Sequence, residues 1–492
     1  MPVVNFNPHD LVVILPELFL AIATCTILFI DLFIGPNRRG ITHGLALAAL
    51  VVTAALVFHG APATGRSESA FDGMFVRDGM ATVVKLFALL MSFLVAVYGR
   101  PYLHQRRLFI GEFHLLLLFA TLGILLLTSA ANLVTVYLGL ELLALCTYGM
   151  VALNRDSPLS SEAAIKFFVL GVLASGLLLY GMSMLYGATG TLDLAKIRAV
   201  TEFATGSPHQ ALLAFGVVFL VVGIAFELGA VPFHMWLPDV YEGAPTAITL
   251  FISTASKLAA FAIAYRLLDN GVGGLGGQWT MMLAALAAAS LAVGNIVAIA
   301  QTNLKRMLAY STISHIGFML LGFVAGTPAG FAAALFYMVT YTIMEAVAFG
   351  MILLLARAGF EAENIDDFKG LNQRSPWFAG VMAVSMFSLA GIPPLFGFFA
   401  KVMVLRAAIG AGYLWLAIVA IVFAIVGLYY YLRVVKVMYF DAPAEAGAAV
   451  PVNDWPLRWV LSLNGIALVA LGIGWGPLLD WCYRAFAAGL AH

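Results

Sequence analysis

The sequence predicts an all-α polytopic membrane protein of about fourteen transmembrane helices, each needing about 20 apolar residues to cross. Three observations predict it. The 492 residues are 63% hydrophobic and only 10% charged, whereas soluble domains run near 45–50% apolar and about 25% charged. The apolar residues fall in long runs with short polar joins, leaving no room for a soluble domain. Lysines and glutamates nevertheless stand inside several runs, where each costs roughly 2.5–3.5 kcal/mol at mid-bilayer and is kept mainly where it faces protein or a wet path.

The runs lie near 10–34, 41–60, 80–98, 111–128, 131–153, 161–186, 210–236, 244–268, 279–301, 304–326, 330–357, 377–408, 413–439 and 456–480. The first is too long for a signal-peptide core and follows no basic segment, so it reads as a retained helix. The third holds Lys85, nearer its outer third, where a long side chain can snorkel. The joins at 129–131 and 302–304 are tight, and Pro245 complicates the start of helix eight. The polar loop 358–376 has room for a short surface helix. GVGGLG at 271–276 fits a dinucleotide-binding pattern but follows a membrane helix, not a strand, which argues against such a site.

Lys and Arg in loops after odd-numbered helices outnumber those after even-numbered helices roughly two to one. Loops after odd helices are therefore expected in the cytoplasm, with both termini on the opposite, periplasmic side of a bacterial plasma (inner) membrane. Net charge is zero, which suggests no nucleic acid partner. Cys25, Cys146 and Cys482 are far apart and form no CxxC, so no metal site is expected. Cys25 and Cys146 read as core residues.

Two runs are interrupted. Helix seven, GIAFELGAVPFHMWLP, contains Pro232, which removes a backbone donor and clashes with the preceding turn. Helix twelve, FSLAGIPPLFGFFAKVMVL, contains Pro393 and Pro394. Broken helices are tolerated at membrane depth only where buried in protein or lining a cavity, and a corresponding pair points to a transport path. The breaks are five helices apart, so the two helices run oppositely. This predicts two inverted five-helix repeats, 110–269 (helices four to eight) and 278–440 (nine to thirteen). They are flanked by helices one to three in 1–109 and helix fourteen in 455–492.

A line of ionisable groups accompanies the breaks: Glu141 in helix five, Lys166 in six, Glu227 in seven, Lys257 in eight and Lys401 in twelve. Burial brings a lysine toward the range where it exchanges protons near neutrality, and an approaching carboxylate reverses that. Glu/Lys neighbours therefore suit proton translocation, with static ion pairing as the plainer alternative. His315 and Glu345 are candidate relays or satisfied core groups. His234, just after the first break, could relay a proton or cap a turn. Paired histidines for haem, among His114, His234 and His315, have nothing to mark them.

FELGAVPFHMWLPDVYEGAPT, STASKLAAF, AIAQTNLKRMLAYSTISHIGFMLLG, DDFKGL and SLAGIPPLFGFFAK resemble the antiporter-like membrane subunits of proton-pumping NADH–quinone oxidoreductase, respiratory complex I. The resemblance covers about 110–440 and extends to Mrp-type sodium/proton antiporters. The wording around Lys257 and DVYEGAPT is nearest the subunit N family. The lack of a long C-terminal arm sets the chain apart from subunit L.

The resemblance implies fourteen helices, two inverted repeats and one proton channel through Glu141, Lys166, Lys257 and Lys401. It also implies membrane partners, namely antiporter-like subunit M and the small membrane subunits. NADH, FMN, iron–sulfur clusters and quinone would be held by other subunits, and no cofactor by this chain. A self-standing Mrp-like cation/proton antiporter is the alternative. The family usually has lysine where this chain has Glu227, so Glu227 is expected to work with a substitute cation, Lys257 or Lys166.

Overall fold

The computed structural model describes residues 7–35, 38–203, 208–443 and 451–487. Its helices occupy the expected runs: α1 (Leu15–Phe33), α2 (Gly40–His59), α3 (Gly79–Gln105), α4 (Gly111–Thr128), α5 (Leu133–Val151) and α6 (Pro158–Thr189). α7 is split into Gln210–Leu228 and Trp236–Gly243, and α8 into Thr246–Ser253 and Ala255–Tyr265. α9 (Gly276–Ile299), α10 (Leu304–Val324) and α11 (Pro328–Leu355) follow, then α12 in halves Pro376–Ala390 and Phe396–Gly410, α13 (Leu414–Phe440) and α14 (Trp455–Ile473). Among the described residues, thirteen helices are long and apolar enough to cross a membrane, and α12 makes its pass in two shorter pieces.

Burial sorts these helices. α11 is buried along its whole apolar window and α8 and α10 nearly so, whereas α1, α6 and α13 show most of theirs. The ionisable groups are thus held around a central α8–α10–α11 unit and screened from lipid by the outer helices. A hairpin, β1 (Glu68–Ala70) and β2 (Phe75–Arg77), joins α2 to α3. The run 456–480 is not one helix. Gly474 ends α14, and Pro477 opens a short helix, Gly476–Ala485, that lies on α11 and α3.

Several local devices occur twice. Asn132 caps α5 and bridges Asp193, while Asn303 caps α10 and bridges Asn364. Each pairing makes two backbone hydrogen bonds: Leu133 N to Leu192 O and Leu194 N to Ala131 O in one case, Leu304 N to Glu363 O and Ile365 N to Thr302 O in the other. α4 meets α5, and α9 meets α10, at backbone contact. A Cβ on Gly123 would lie 2.7 Å from Leu143 N, and one on Gly294 2.6 Å from Ser314 N.

Two expectations are corrected. Lys85 does not snorkel: it is buried, 2.6 Å from the carboxylate of Glu17 on α1, beneath the ring of Phe75. The cation has a partner at its own depth, so it need not reach water. Cys25 is exposed on α1 rather than in the core, because α1 turns only one side to the bundle. Lys305, just after the tight join at 302–304, is also buried. Breaking a buried pair by removing one partner costs about 3–5 kcal/mol, while replacing both with apolar groups is near neutral. Lys85→Met should accordingly lower the thermal stability of the purified protein sharply, and Glu17→Leu/Lys85→Met should recover most of it. Equal unfolding temperatures for wild type and Lys85→Met would show that the pair holds nothing.

Candidate functional site

The first half of α7 stops at Gly229, which takes the left-handed conformation at φ 78°, and the first half of α12 stops at Gly391, at φ 85°. Glycine adopts that region without steric cost. A proline follows three residues later in each case, Pro232 and Pro394, so neither helix resumes at once. Both breaks leave carbonyls without helical partners at membrane depth, where water cannot satisfy them.

A lysine closes each end. Lys257 Nζ donates to the carbonyls of Glu227 and Leu228, both at 3.0 Å. Lys401 Nζ donates to those of Leu389 and Ala390, at 2.9 and 2.8 Å. A cation at a helix C-terminus is also favoured by the helix dipole. Each ammonium lies over an aromatic ring, Trp236 at 4.9 Å and Phe318 at 5.0 Å from the centroid. Trp236 is itself fixed by its indole N–H on Phe226 O at 3.0 Å. Lys257 gains its position from an interruption that the sequence does not signal: α8 breaks at Thr254 (φ −118°, ψ −82°), whose hydroxyl turns back to Leu250 O.

Glu227 does meet Lys257, but through its main-chain carbonyl. Among the described residues its carboxylate forms no ion pair, and it stands in the electrostatic fields of Lys257 and Glu141. Glu141 is half-buried and accepts a hydrogen bond from Ser175 of α6.

Lys166 joins neither acid. It is part-exposed near the start of α6 and pairs with Glu162 at 2.8 Å and Asp239 at 2.7 Å. Asp239 also holds Arg306 at 2.9 Å, and Arg306 holds Glu242 at 2.8 Å. These five groups line a cavity of about 190 Å³. The sequence missed this cluster because its members come from α6, the second half of α7 and the start of α10. Lys305 repeats the capping device nearby, donating to the carbonyls of Glu242 and Ala244 at 2.8 Å each.

On the other side of the bundle, His315 of α10 lies between two hydroxyls, Tyr337 at 2.6 Å from Nδ1 and Tyr431 at 3.0 Å from Nε2. Tyr431 also meets Ser311. Lys401 acts electrostatically on His315. Glu345 of α11 takes Tyr341 at 3.3 Å and Thr312 at 3.4 Å. Its other oxygen and the hydroxyl of Tyr241, from the second half of α7, are both buried without a hydrogen-bond partner among the described residues. Tyr241 lies in the field of Glu345, so α7 carries the polar line from Lys257 toward α11.

The tyrosines were missed in the sequence, although Tyr337, Tyr341 and Glu345 fall at i, i+4 and i+8 on one helical face. His234 is half-buried beside the α7 break, and its carbonyl accepts the Leu237 N–H at 2.9 Å. His114 faces His43 of α2, with ring nitrogens 3.1 Å apart.

Tyr431→Phe removes two buried hydrogen bonds and leaves His315 and Ser311 each short of a partner. A loss of about 1–3 kcal/mol per orphaned group is expected, read as a lower unfolding temperature; an unchanged temperature would mean the network is slack.

Comparison with known proteins identifies the family. Residues 130–427 match the family model described as NADH:quinone oxidoreductase/Mrp antiporter, TM. NADH-quinone oxidoreductase subunit N of Xanthomonas euvesicatoria pv. vesicatoria is 56% identical over 98% of this chain and 97% of its own length. The subunit N of Herminiimonas arsenicoxydans is 52% identical over 99% of this chain and 100% of its own length. A chain in a structure of respiratory complex I from Thermus thermophilus superposes with TM-score 0.81 at 31% identity, covering 94% of this chain and 98% of that one. A chain of the Mrp complex from Dietzia sp. shares the fold, with TM-score 0.82 at 22% identity and 98% of each chain covered. By the match over residues 130–427 and these relatives, the chain belongs to the NADH:quinone oxidoreductase/Mrp antiporter membrane family.

Proposed function

We propose that this chain is the proton-translocating, antiporter-like subunit N of an NADH–quinone oxidoreductase, with electron transfer carried out in partner subunits. The observation that carries the reading is the pair of buried lysines, each seated on the last carbonyls of a broken helix rather than on a carboxylate. An amine so placed can still donate to carbonyls after losing its proton, so either protonation state keeps the helix end closed. A lysine locked to a buried acid would be held charged.

The duplicated caps, bridges and breaks support two inverted repeats, helices four to eight and nine to thirteen. Each would supply a half-channel opening to one side. In this scheme the Lys166–Asp239–Arg306–Glu242 cavity is the mouth of the first half. Lys257 receives the proton, and water completes the gap at Tyr241 and Glu345. Tyr341, His315 and its hydroxyl partners then pass it toward Lys401. Glu227 and Glu141 bias Lys257 electrostatically from one side. The Lys/Arg distribution supports a bacterial inner membrane orientation with both termini periplasmic, and the subunit N relatives support subunit M and the small membrane subunits as neighbours. Co-purification with iron–sulfur subunits separates this reading from a self-standing antiporter.

In the assembled complex reconstituted in vesicles, Lys257→Met and Lys401→Met should lower the protons moved per NADH oxidised. Lys369 pairs with the exposed Asp366 in the loop after α11, and Lys369→Gln should leave that ratio as in wild type. A normal ratio in both lysine variants would overturn the scheme. Glu227→Lys tests the local rewiring: it sets a second cation beside Lys257, where like charges disfavour each other, so pumping should fall. Full pumping in Glu227→Lys would mean that Glu227 carries no electrostatic role.

A further inference from the structure

Away from the lysine-capped breaks, the described residues enclose a cavity of about 740 Å³, within the usual range for small-molecule sites. It is built by segments that join passes on a single face: the loop and hairpin between α2 and α3, the start of the helix Leu194–Glu202, the end of α8, and the helix Gly476–Ala485. Its lining is amphipathic. Met80, Leu194, Trp481 and Phe486 supply apolar and aromatic surface, while Arg66, Arg198, Arg266 and Arg484 supply cations. Trp and Tyr at such a level mark the headgroup zone of a bilayer.

The acids in the lining are already engaged. Asp78 holds Arg266, which donates to it at 2.7 and 3.0 Å. Asp269 faces Arg198 at 3.5 Å, and Asp193 caps the helix that it precedes. Arg66 and Arg484 are exposed and have no side-chain partner among the described residues. The uncommitted charge is therefore positive, and it takes the form of guanidinium forks, whose geometry matches phosphate oxygens in pairs.

We propose that this cavity binds a phosphate-bearing anion through Arg66 and Arg484, with the apolar floor accommodating the glycerol or acyl portion of a phospholipid. A lipid headgroup and free phosphate share this chemistry, and the test separates them.

The assembled complex is placed in vesicles of equimolar phosphatidylcholine and phosphatidylglycerol, the latter carrying a photoreactive headgroup. Crosslinks are then mapped by peptide mass spectrometry. Wild type should label the 61–67 loop or the 476–485 helix. Arg66→Gln/Arg484→Gln should lower that labelling about tenfold, the effect of losing about 1.4 kcal/mol of binding. Lys436→Gln, at an exposed lysine of α13 that pairs with Asp441 and does not line the cavity, should not. Arg484→Lys keeps the charge but loses the fork and should fall between. In a second arm, inorganic phosphate is tested for protection of Arg66 and Arg484 from phenylglyoxal. Protection without lipid labelling identifies a soluble phosphate as the occupant. Labelling that is equal in the double variant, or neither labelling nor protection, overturns the proposal.

Discussion

A severed helix inside a membrane must find donors for its last carbonyls, and here that demand is met by lysine. Lys257 serves the end at Leu228 and Lys401 the end at Ala390, each with two short hydrogen bonds and an aromatic ring beneath. Much of the central architecture follows. The breaks need Gly229 and Gly391 in the left-handed conformation, and the lysines need α8 and the second half of α12 pressed against the ends that they close. The aromatic rings need their own anchors, as with Trp236 on Phe226. In the proposed scheme, the groups that repair the fold are also the ones that carry the proton.

The charges divide by depth. Near the ends of the helices they form multiply shared ion pairs, Lys166 and Arg306 around Asp239 and Arg306 with Glu242. Such pairs are exposed enough to water that their net stabilisation is small, and they can rearrange. In the interior, cations rest on carbonyls, and Glu345 rests on hydroxyls of Tyr341 and Thr312. Resting each charge on carbonyls or hydroxyls avoids an uncompensated charge, whose cost in a dry interior is several kcal/mol. Glu17 and Lys85 differ: they are a sealed pair in the N-terminal helices and act as a clamp.

Much of this was legible in the sequence. Apolar run length gave the passes, since crossing the bilayer fixes how many apolar residues a helix needs. Pro232, Pro393 and Pro394 gave the two breaks, because proline cannot continue the backbone ladder. Glu141, Glu227, Lys257, Lys401, His315 and Glu345 stood out by the cost of a polar group in an apolar run.

What those groups touch was decided only by the tertiary structure. The family resemblance suggested that Lys257 or Lys166 would be the cation for Glu227, and Lys257 does stand in its electrostatic field. Lys166, however, is held by Asp239, 73 positions away, and Lys257 by carbonyls, a partner type that no side-chain pattern reveals. The break at Thr254 lacks both glycine and proline and arises where α8 is packed on every side. The tyrosines around His315 and Glu345 read as ordinary apolar residues until four helices converge on them. The sequence by itself determined where the chain crosses and where it must break, since those depend on local backbone chemistry and transfer energy. The assembled bundle decided which cation repairs which break, since that depends on distances between helices far apart in the chain.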